Sequence, residues 1–392
     1  MTSFPVGDPF GLRDQPLAGA GAIVDGRTMH QDGHEPRSWR RLLEWSPTRA
    51  PVALLLLAGV AFGPRGINLL SAGVLSSLGP TVPVALAALG VLVGLAWDDR
   101  RTAHWRLFAA ACLESVTTML VVSAGIGVVA VAVISSVAPP LVTLILASSI
   151  CAATSLTLPA GSPLDPQTTA TRIREVGVLL PIAAGGFGMA WLHAGSLVGA
   201  IVLVAQGCGV TMALAGAAWL LLTGASSETE ERVLGVSALL LVGGVADALA
   251  LSALFAGLVA GMCWRYAGRH PREAISRDVL FVQHPLLVLV LLVAGARAEF
   301  SPASLALGVG YVVTRVVGKL AGGMVARRTL RVNAPRDLGL FLLPPGVFGV
   351  AFALNVASVA STDASLLLAA VVAGTIGSEL VAILLPPRSA GE

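Results

Sequence analysis

The chain has 392 residues, of which 55% are hydrophobic and only 12% charged, and its mean hydropathy is +0.84. Because a soluble domain carries about 25% charged residues, this composition excludes a soluble enzyme and indicates a polytopic membrane protein. The net charge of +3 is uninformative by itself. The sequence shows no nucleic-acid module, phosphate loop or metal-ligand spacing, so we expect no nucleic-acid partner, no metal and no cofactor.

The N-terminal segment, residues 1–48, is polar and rich in Gly, Pro, Asp and Arg. It contains no apolar run that could be the core of a signal peptide. We interpret it as a disordered cytoplasmic tail.

The remaining chain is a series of apolar segments. About 20 apolar residues cross a bilayer, and this rule predicts about twelve spans, while residues 64–80 and 124–137 could hold further broken or re-entrant helices. The predicted spans lie near residues 51–63, 81–97, 106–123, 138–157, 175–193, 196–222, 232–246, 249–264, 281–297, 302–326, 337–358 and 363–385.

The arginines predict the orientation of these spans. The N-terminal tail and alternate loops together hold almost all of them, and short cytoplasmic loops carry the positive excess, so both termini are expected in the cytoplasm. The opposite loops carry little beyond Arg65 and Arg297. We therefore expect a transmembrane domain over 49–386, with halves at about 49–222 and 232–386, and a short cytoplasmic tail, 387–392.

Two spans contain helix breakers, SLTLPAGSP (155–163) at the end of the fourth and LLPPGVFG (342–349) within the eleventh. Proline removes a backbone donor, and freed carbonyls are tolerated in lipid only where they are buried or line a cavity. Matching interruptions in two halves point to a midplane site between inverted repeats; the alternative is a pair of ordinary proline kinks. The candidate unwound residues are Thr154, Ser155, Pro344, Pro345 and Gly346.

The tenth span contains two cations, Arg315 and Lys319, in VVTRVVGKLAGG (312–323), and Lys319 is the only lysine of the chain. A charge in lipid costs from about 2.5 to well over 10 kcal/mol. Lys319 lies about 12 Å from the cytoplasmic arginines at 1.5 Å per residue, so its side chain could snorkel to the headgroups. Alternatively, Glu114 and Glu379 lie at a similar depth and could complete a buried network.

Such a network has two possible roles that the sequence leaves open. If the carboxylates stay paired with the cations, the cluster is a structural element. If a carboxylate is released during transport, it could bind a monovalent cation while a proton is exchanged. Arginine does not deprotonate in this range, so Arg315 would be an orienting charge and Lys319 the titrating candidate.

Five blocks, in order, resemble motifs of the monovalent cation/proton antiporter superfamily, closest to its Kef-type and sodium/proton exchanger branch. The resemblance covers residues 51–385, with correct order and spacing but degenerate individual motifs. The blocks are LGVLVGLAWDD (89–99), VADALALSALFAGLVAG (245–261), LLVLVLLVAGARAEF (286–300), TRVVGKLAGG (314–323) and GLFLLPPGVFGVAFAL (339–354).

The resemblance implies an all-α membrane protein with about 12 transmembrane helices in two inverted repeats. It further implies a dimerisation domain and a core domain whose fourth and eleventh helices unwind and cross, elevator-like alternating access, and often a homodimer. The family's ion-binding acids lie in the fifth span, as an Asp-Asp or Asn-Asp pair. Here that span has Ala183, Ala184, Gly185 and Gly186 near those positions, so the family's carboxylates cannot be carried onto this chain.

The first functional hypothesis is a secondary transporter of the cell membrane that exchanges a monovalent cation, Na⁺ or K⁺, for protons. Its partners would be the cation, the proton, the lipid bilayer and a second copy of the chain. An anion or organic-acid carrier on the same fold is an alternative, because the chain lacks the fifth-span acids but keeps two cations. A non-transporting scaffold or regulator is another.

Overall fold

The computed structural model describes residues 52–96, 105–133, 139–155, 169–266, 269–330, 335, 337–359 and 364–385. These residues belong to one compact unit, 46–392. Every regular element in them is helical, which confirms the all-α class. The predicted tails, 1–48 and 387–392, lie outside the described residues.

Fifteen helices follow one another along the described residues. They are α1 (Val52–Phe62), α2 (Ala72–Ser77), α3 (Thr81–Ala96), α4 (Trp105–Val133), α5 (Pro139–Ala153), α6 (Thr169–Gly177), α7 (Leu179–Ala194), α8 (Leu197–Gly224), α9 (Glu228–Ala248), α10 (Ala253–Tyr266), α11 (Arg269–Arg297), α12 (Pro302–Leu330), α13 (Leu338–Phe341), α14 (Val347–Val359) and α15 (Ala364–Leu384).

Each predicted span overlaps one of these helices. Six helical segments of the described residues are long and apolar enough to cross a membrane, namely α4, α6 with α7, α8, most of α11, α12 and α15. Shorter apolar helices are α1, α3, most of α5, α10 and most of α14. The chain is therefore a multi-pass membrane protein. The number twelve and the boundary between the two halves stay predictions.

The structure describes most of the two regions, 64–80 and 124–137, that could hold further broken or re-entrant helices. Residues 64–80 contain the short helix α2, and residues 124–133 continue α4 without a break. The second region therefore starts as an extension of the third span rather than as a separate helix.

The helices pack in long pairs, with α4 against α12, α3 against α10, α1 against α11 and α12 against α15. Small residues permit the closest approach. A Cβ on Gly90 or Gly94 of α3, or on Gly257 or Gly261 of α10, would overlap backbone atoms of the other helix. Close backbone contact of this kind is a main source of helix association in membranes.

The described residues include the beginning of the first predicted helix break, Thr154 and Ser155, and the whole of the second. Helix α5 ends at Ala153, and residues 342–346 are non-helical between α13 and α14. Helices α5 and α14 contact each other at these positions, since a Cβ on Gly349 would lie 2.6 Å from the carbonyl oxygen of Cys151 and 2.9 Å from Oγ1 of Thr154. A simple proline kink is therefore the wrong interpretation of the eleventh span.

Candidate functional site

Arg315 binds the C-terminal end of α5 and the helix break between α13 and α14. Its side chain is 1% exposed on α12. The guanidinium donates to the carbonyl oxygen of Ala152 and, at 2.9 Å, to that of Thr154. Nη2 also lies 3.5 Å from the carbonyl oxygen of Leu343 and 3.4 Å from that of Pro344. The last carbonyls of a helix lack partners and carry its negative dipole end, so one cation satisfies carbonyls at both interruptions.

Lys319 lies one turn further along α12 and does not snorkel. Its side chain is fully buried, and Nζ lies 2.8 Å from Oε1 of Glu114 and 2.6 Å from the carbonyl oxygen of Ala153. Glu114, on α4, is 1% exposed. The two side chains therefore form a buried ion pair against the end of α5.

Two hydroxyl groups on α4 surround the Glu114 carboxylate. Thr118 Oγ1 donates to Oε1 at 3.1 Å, and Ser115 Oγ lies 3.4 Å from Oε2. Ser115 also donates to the carbonyl oxygen of Gly177 at 3.0 Å. These hydroxyls were not predicted from the sequence, although residues four apart, such as Glu114 and Thr118, share a helix face. The stretch ESVTT therefore indicated at least one of them.

Glu379 is not part of this cluster. Its Oε2 accepts a hydrogen bond from the backbone amide of Ala53 at 2.6 Å, and the side chain is half-buried. The carboxylate therefore caps the N-terminal end of α1, where the helix dipole favours a negative charge. The expected network of two acids and two cations is wrong in this respect, because only Glu114 joins the cations.

The fifth span, α7, has aromatic rings where the resemblance places acids. Gly185 and Gly186 are buried. A Cβ on Gly185 would lie 2.9 Å from Cδ2 of Phe352, and one on Gly186 would lie 2.8 Å from Cβ of Phe255. These positions therefore have no room for a longer side chain. Among the described residues, no group of three or more His, Cys, Asp or Glu side chains could hold a metal ion.

A buried amide connects the broken eleventh span to two other helices. Nδ2 of Asn355 lies 3.2 Å from Oγ of Ser252, which precedes α10, and 2.9 Å from Sδ of Met189 on α7. Asn355 is the only asparagine of α14 and was not singled out from the sequence. Its contacts fix α14 beside the span that lacks acids.

The fold is that of a multi-pass membrane protein in which α14 follows a helix break and packs against the end of α5. No family model and no curated protein sequence matches the chain. Among solved structures, the chain is similar to the sodium/proton antiporter of Methanocaldococcus jannaschii at pH 8, with a TM-score of 0.62 and 15% identity. The match covers 86% of this chain and 93% of that one. The chain thus has the fold of a cation/proton antiporter, as the motif resemblance implied.

Proposed function

We propose that the chain is a secondary active transporter of the cell (inner) membrane that exchanges a monovalent cation, Na⁺ or K⁺, for protons. Both termini would be cytoplasmic, and the transporter would work as a homodimer. The antiporter fold supports this proposal. The observation that carries it is the fully buried Glu114–Lys319 pair at the broken end of α5.

The pair suits exchange because one carboxylate serves two alternative positive partners. A buried charge left without its partner costs about 3–5 kcal/mol. A metal cation that binds Glu114 therefore replaces the ammonium of Lys319, which gives up its proton. When the cation leaves, Lys319 takes up a proton again and restores the pair. Arg315 stays charged throughout and holds the broken helices in place.

A second candidate is a folded homologue that does not transport. It is favoured by the aromatic rings of Phe352 and Phe255, which fill the space beside Gly185 and Gly186. An anion carrier has less support, because Lys319 and Arg315 already donate to a carboxylate and to backbone carbonyls.

The test is flux into proteoliposomes that contain the purified chain and a trapped pH-sensitive dye, with Na⁺, K⁺ or Li⁺ added in turn. We expect a dye response to at least one cation, and its loss in Glu114→Gln and Lys319→Ala. The matched control is Ser149→Ala on α5, a buried serine that donates at 2.7 Å to Leu146 of its own helix. This variant keeps the wild-type response.

Two results would overturn the proposal. A folded wild-type chain that gives no dye response to any of the cations is not an antiporter, and the scaffold hypothesis then stands. Uptake of an anionic substrate that disappears in Lys319→Ala would instead establish an anion carrier.

A further inference from the structure

A small space ringed by oxygen atoms lies beside Gly177, where α6 ends and α7 begins. A Cβ built on Gly177 would have no neighbour outside its own helix nearer than 3.5 Å. The three nearest atoms are all oxygens, Oγ of Ser115 at 3.5 Å, Oε2 of Glu114 at 3.9 Å and the carbonyl oxygen of Ala111 at 4.0 Å. The space thus accepts a group of about the size of a methyl among hydrogen-bond acceptors.

The oxygens of this space have free capacity for a ligand. Lys319 and Thr118 both bind Oε1 of Glu114, whereas among the described residues the one hydrogen-bond contact of Oε2 is that with Ser115 at 3.4 Å. The carbonyl of Gly177 lacks the usual backbone donor four residues further along, because that residue is Pro181, which has no N–H. A buried carboxylate oxygen with so little compensation is costly, unless a cation or water joins it.

The spacing of the oxygens fits a small cation. Ser115 Oγ lies 3.0 Å from the carbonyl oxygen of Gly177 and 3.4 Å from Oε2 of Glu114. Oxygen ligands at about 2.3–2.6 Å from one ion, the range for Ca²⁺, lie about 3.3–3.7 Å apart when they are at right angles. Na⁺ is similar in radius, so these oxygens could share one ion after small movements.

We propose that the space beside Gly177 binds one dehydrated monovalent cation through Glu114 Oε2, Ser115 Oγ and the carbonyl oxygens of Gly177 and Ala111. The inference rests on the proposed function, since it gives the exchanged cation its binding position. This position is on the α4–α6 contact, six residues or more before the acid-free positions of α7.

The charges around the space select the ion. The cluster contains the Glu114 carboxylate, Lys319, which binds that carboxylate, and Arg315, which lies one turn before Lys319 on α12. With one carboxylate and two basic side chains, the charge of the cluster favours a monovalent ion over a divalent one.

The test is calorimetric titration of the purified full-length chain with NaCl, LiCl and KCl, with choline chloride and CaCl₂ as references. In Gly177→Ala the new methyl group fills the space with contacts of 3.5 Å or more, so the fold is kept and the cation is excluded. The matched control is Gly188→Ala on α7, whose nearest neighbour would be the apolar Cδ1 of Ile150 at 3.9 Å.

We expect one monovalent cation to bind to the wild type and to Gly188→Ala. Gly177→Ala and Ser115→Ala should each bind it at least about tenfold more weakly, the size of one lost ligand. The thermal unfolding temperature of Gly177→Ala should not fall, because alanine is favoured over glycine in a helix. If the unfolding temperature of Gly177→Ala falls, its weaker cation binding is due to misfolding, and the cation affinity of Ser115→Ala then tests the inference.

Three results overturn the inference: equal affinity in Gly177→Ala and the wild type, tighter binding of Ca²⁺ than of any monovalent ion, or no saturable binding at all. The last result means that the space holds water only. Flux separates this outcome from the proposed function. If the wild type and Gly177→Ala show the same flux, the chain is an antiporter and its cation site lies elsewhere. If the wild type binds a cation but shows no flux, the site is real and the chain is not an antiporter.

Discussion

Removing the ammonium group of Lys319 should destabilise the fold strongly, while removing both members of its ion pair should not. In Lys319→Met the carboxylate of Glu114 is left buried without its cation, which costs about 3–5 kcal/mol. In Glu114→Met the ammonium keeps only the carbonyl of Ala153, at a similar cost. The double variant leaves neutral acceptors unpaired, at about 1–3 kcal/mol. The apolar methionine side chains offset part of this cost, so we expect the free energy of unfolding of the double variant to lie within about 2 kcal/mol of that of the wild type.

The measurement is the free energy of unfolding of the four proteins by titration with SDS. The coupling energy between the two positions should reach at least about 3 kcal/mol. The reference is Arg65→Ala, which breaks a 3.1 Å pair with Glu299 whose side chains are 61% and 55% exposed, and which should cost no more than about 1 kcal/mol. Additivity of the two methionine variants within about 0.5 kcal/mol would refute the buried pair.

Three further predictions concern other positions. Gly185→Asp should lower the stability of the fold by about 1–3 kcal/mol through overpacking, and Phe352→Ala should restore it by making room, as thermal unfolding of the single and double variants will show. An acylating reagent should not modify Lys319 until SDS unfolds the chain, because this side chain is fully buried. Mass spectrometry of the labelled peptides measures this, and labelling of Lys319 in the folded protein would contradict its burial. Hydrogen bonds from the backbone amide and hydroxyl of Ser226 hold the pKa of the Glu230 carboxyl below its usual 4.5. These hydrogen bonds should stabilise the start of α9 at neutral pH, and this stabilisation should be lost as the pH falls below about 4.5. We therefore expect proteolysis at Ser226 to become faster at low pH, and we expect no such pH dependence in Glu230→Gln.

The helical spans and their two breaks could be predicted because both depend on local sequence. An apolar run long enough for the bilayer has few alternatives to a helix, and Pro344 with Pro345 cannot continue one. The break at residues 342–346 follows from these rules.

The partners of the charged groups were harder to predict, because depth in the membrane does not give direction around a helix. Glu114 and Glu379 were placed at one level from their distance to the cytoplasmic side. Successive residues on a helix turn by about 100°, and only Glu114 faces Lys319, while Glu379 faces the amide of Ala53.

Two other features could not be predicted from the positions of the charged side chains in the sequence. Arg315 binds backbone carbonyls, which every residue has. The ring of Phe352 lies beside Gly185 because α14 packs against α7 at that position. Such long-range contacts depend on tertiary packing.

The contacts of Arg315 have a mechanical consequence. One guanidinium is bound to the end of α5 and to the break before α14, and it is carried by α12. Neither broken helix can swing away alone without leaving this charge unpaired in the interior, at a cost of several kcal/mol. Any motion that exposes the Glu114 cluster to opposite sides of the membrane must therefore displace α5, α12 and α14 together as a rigid body.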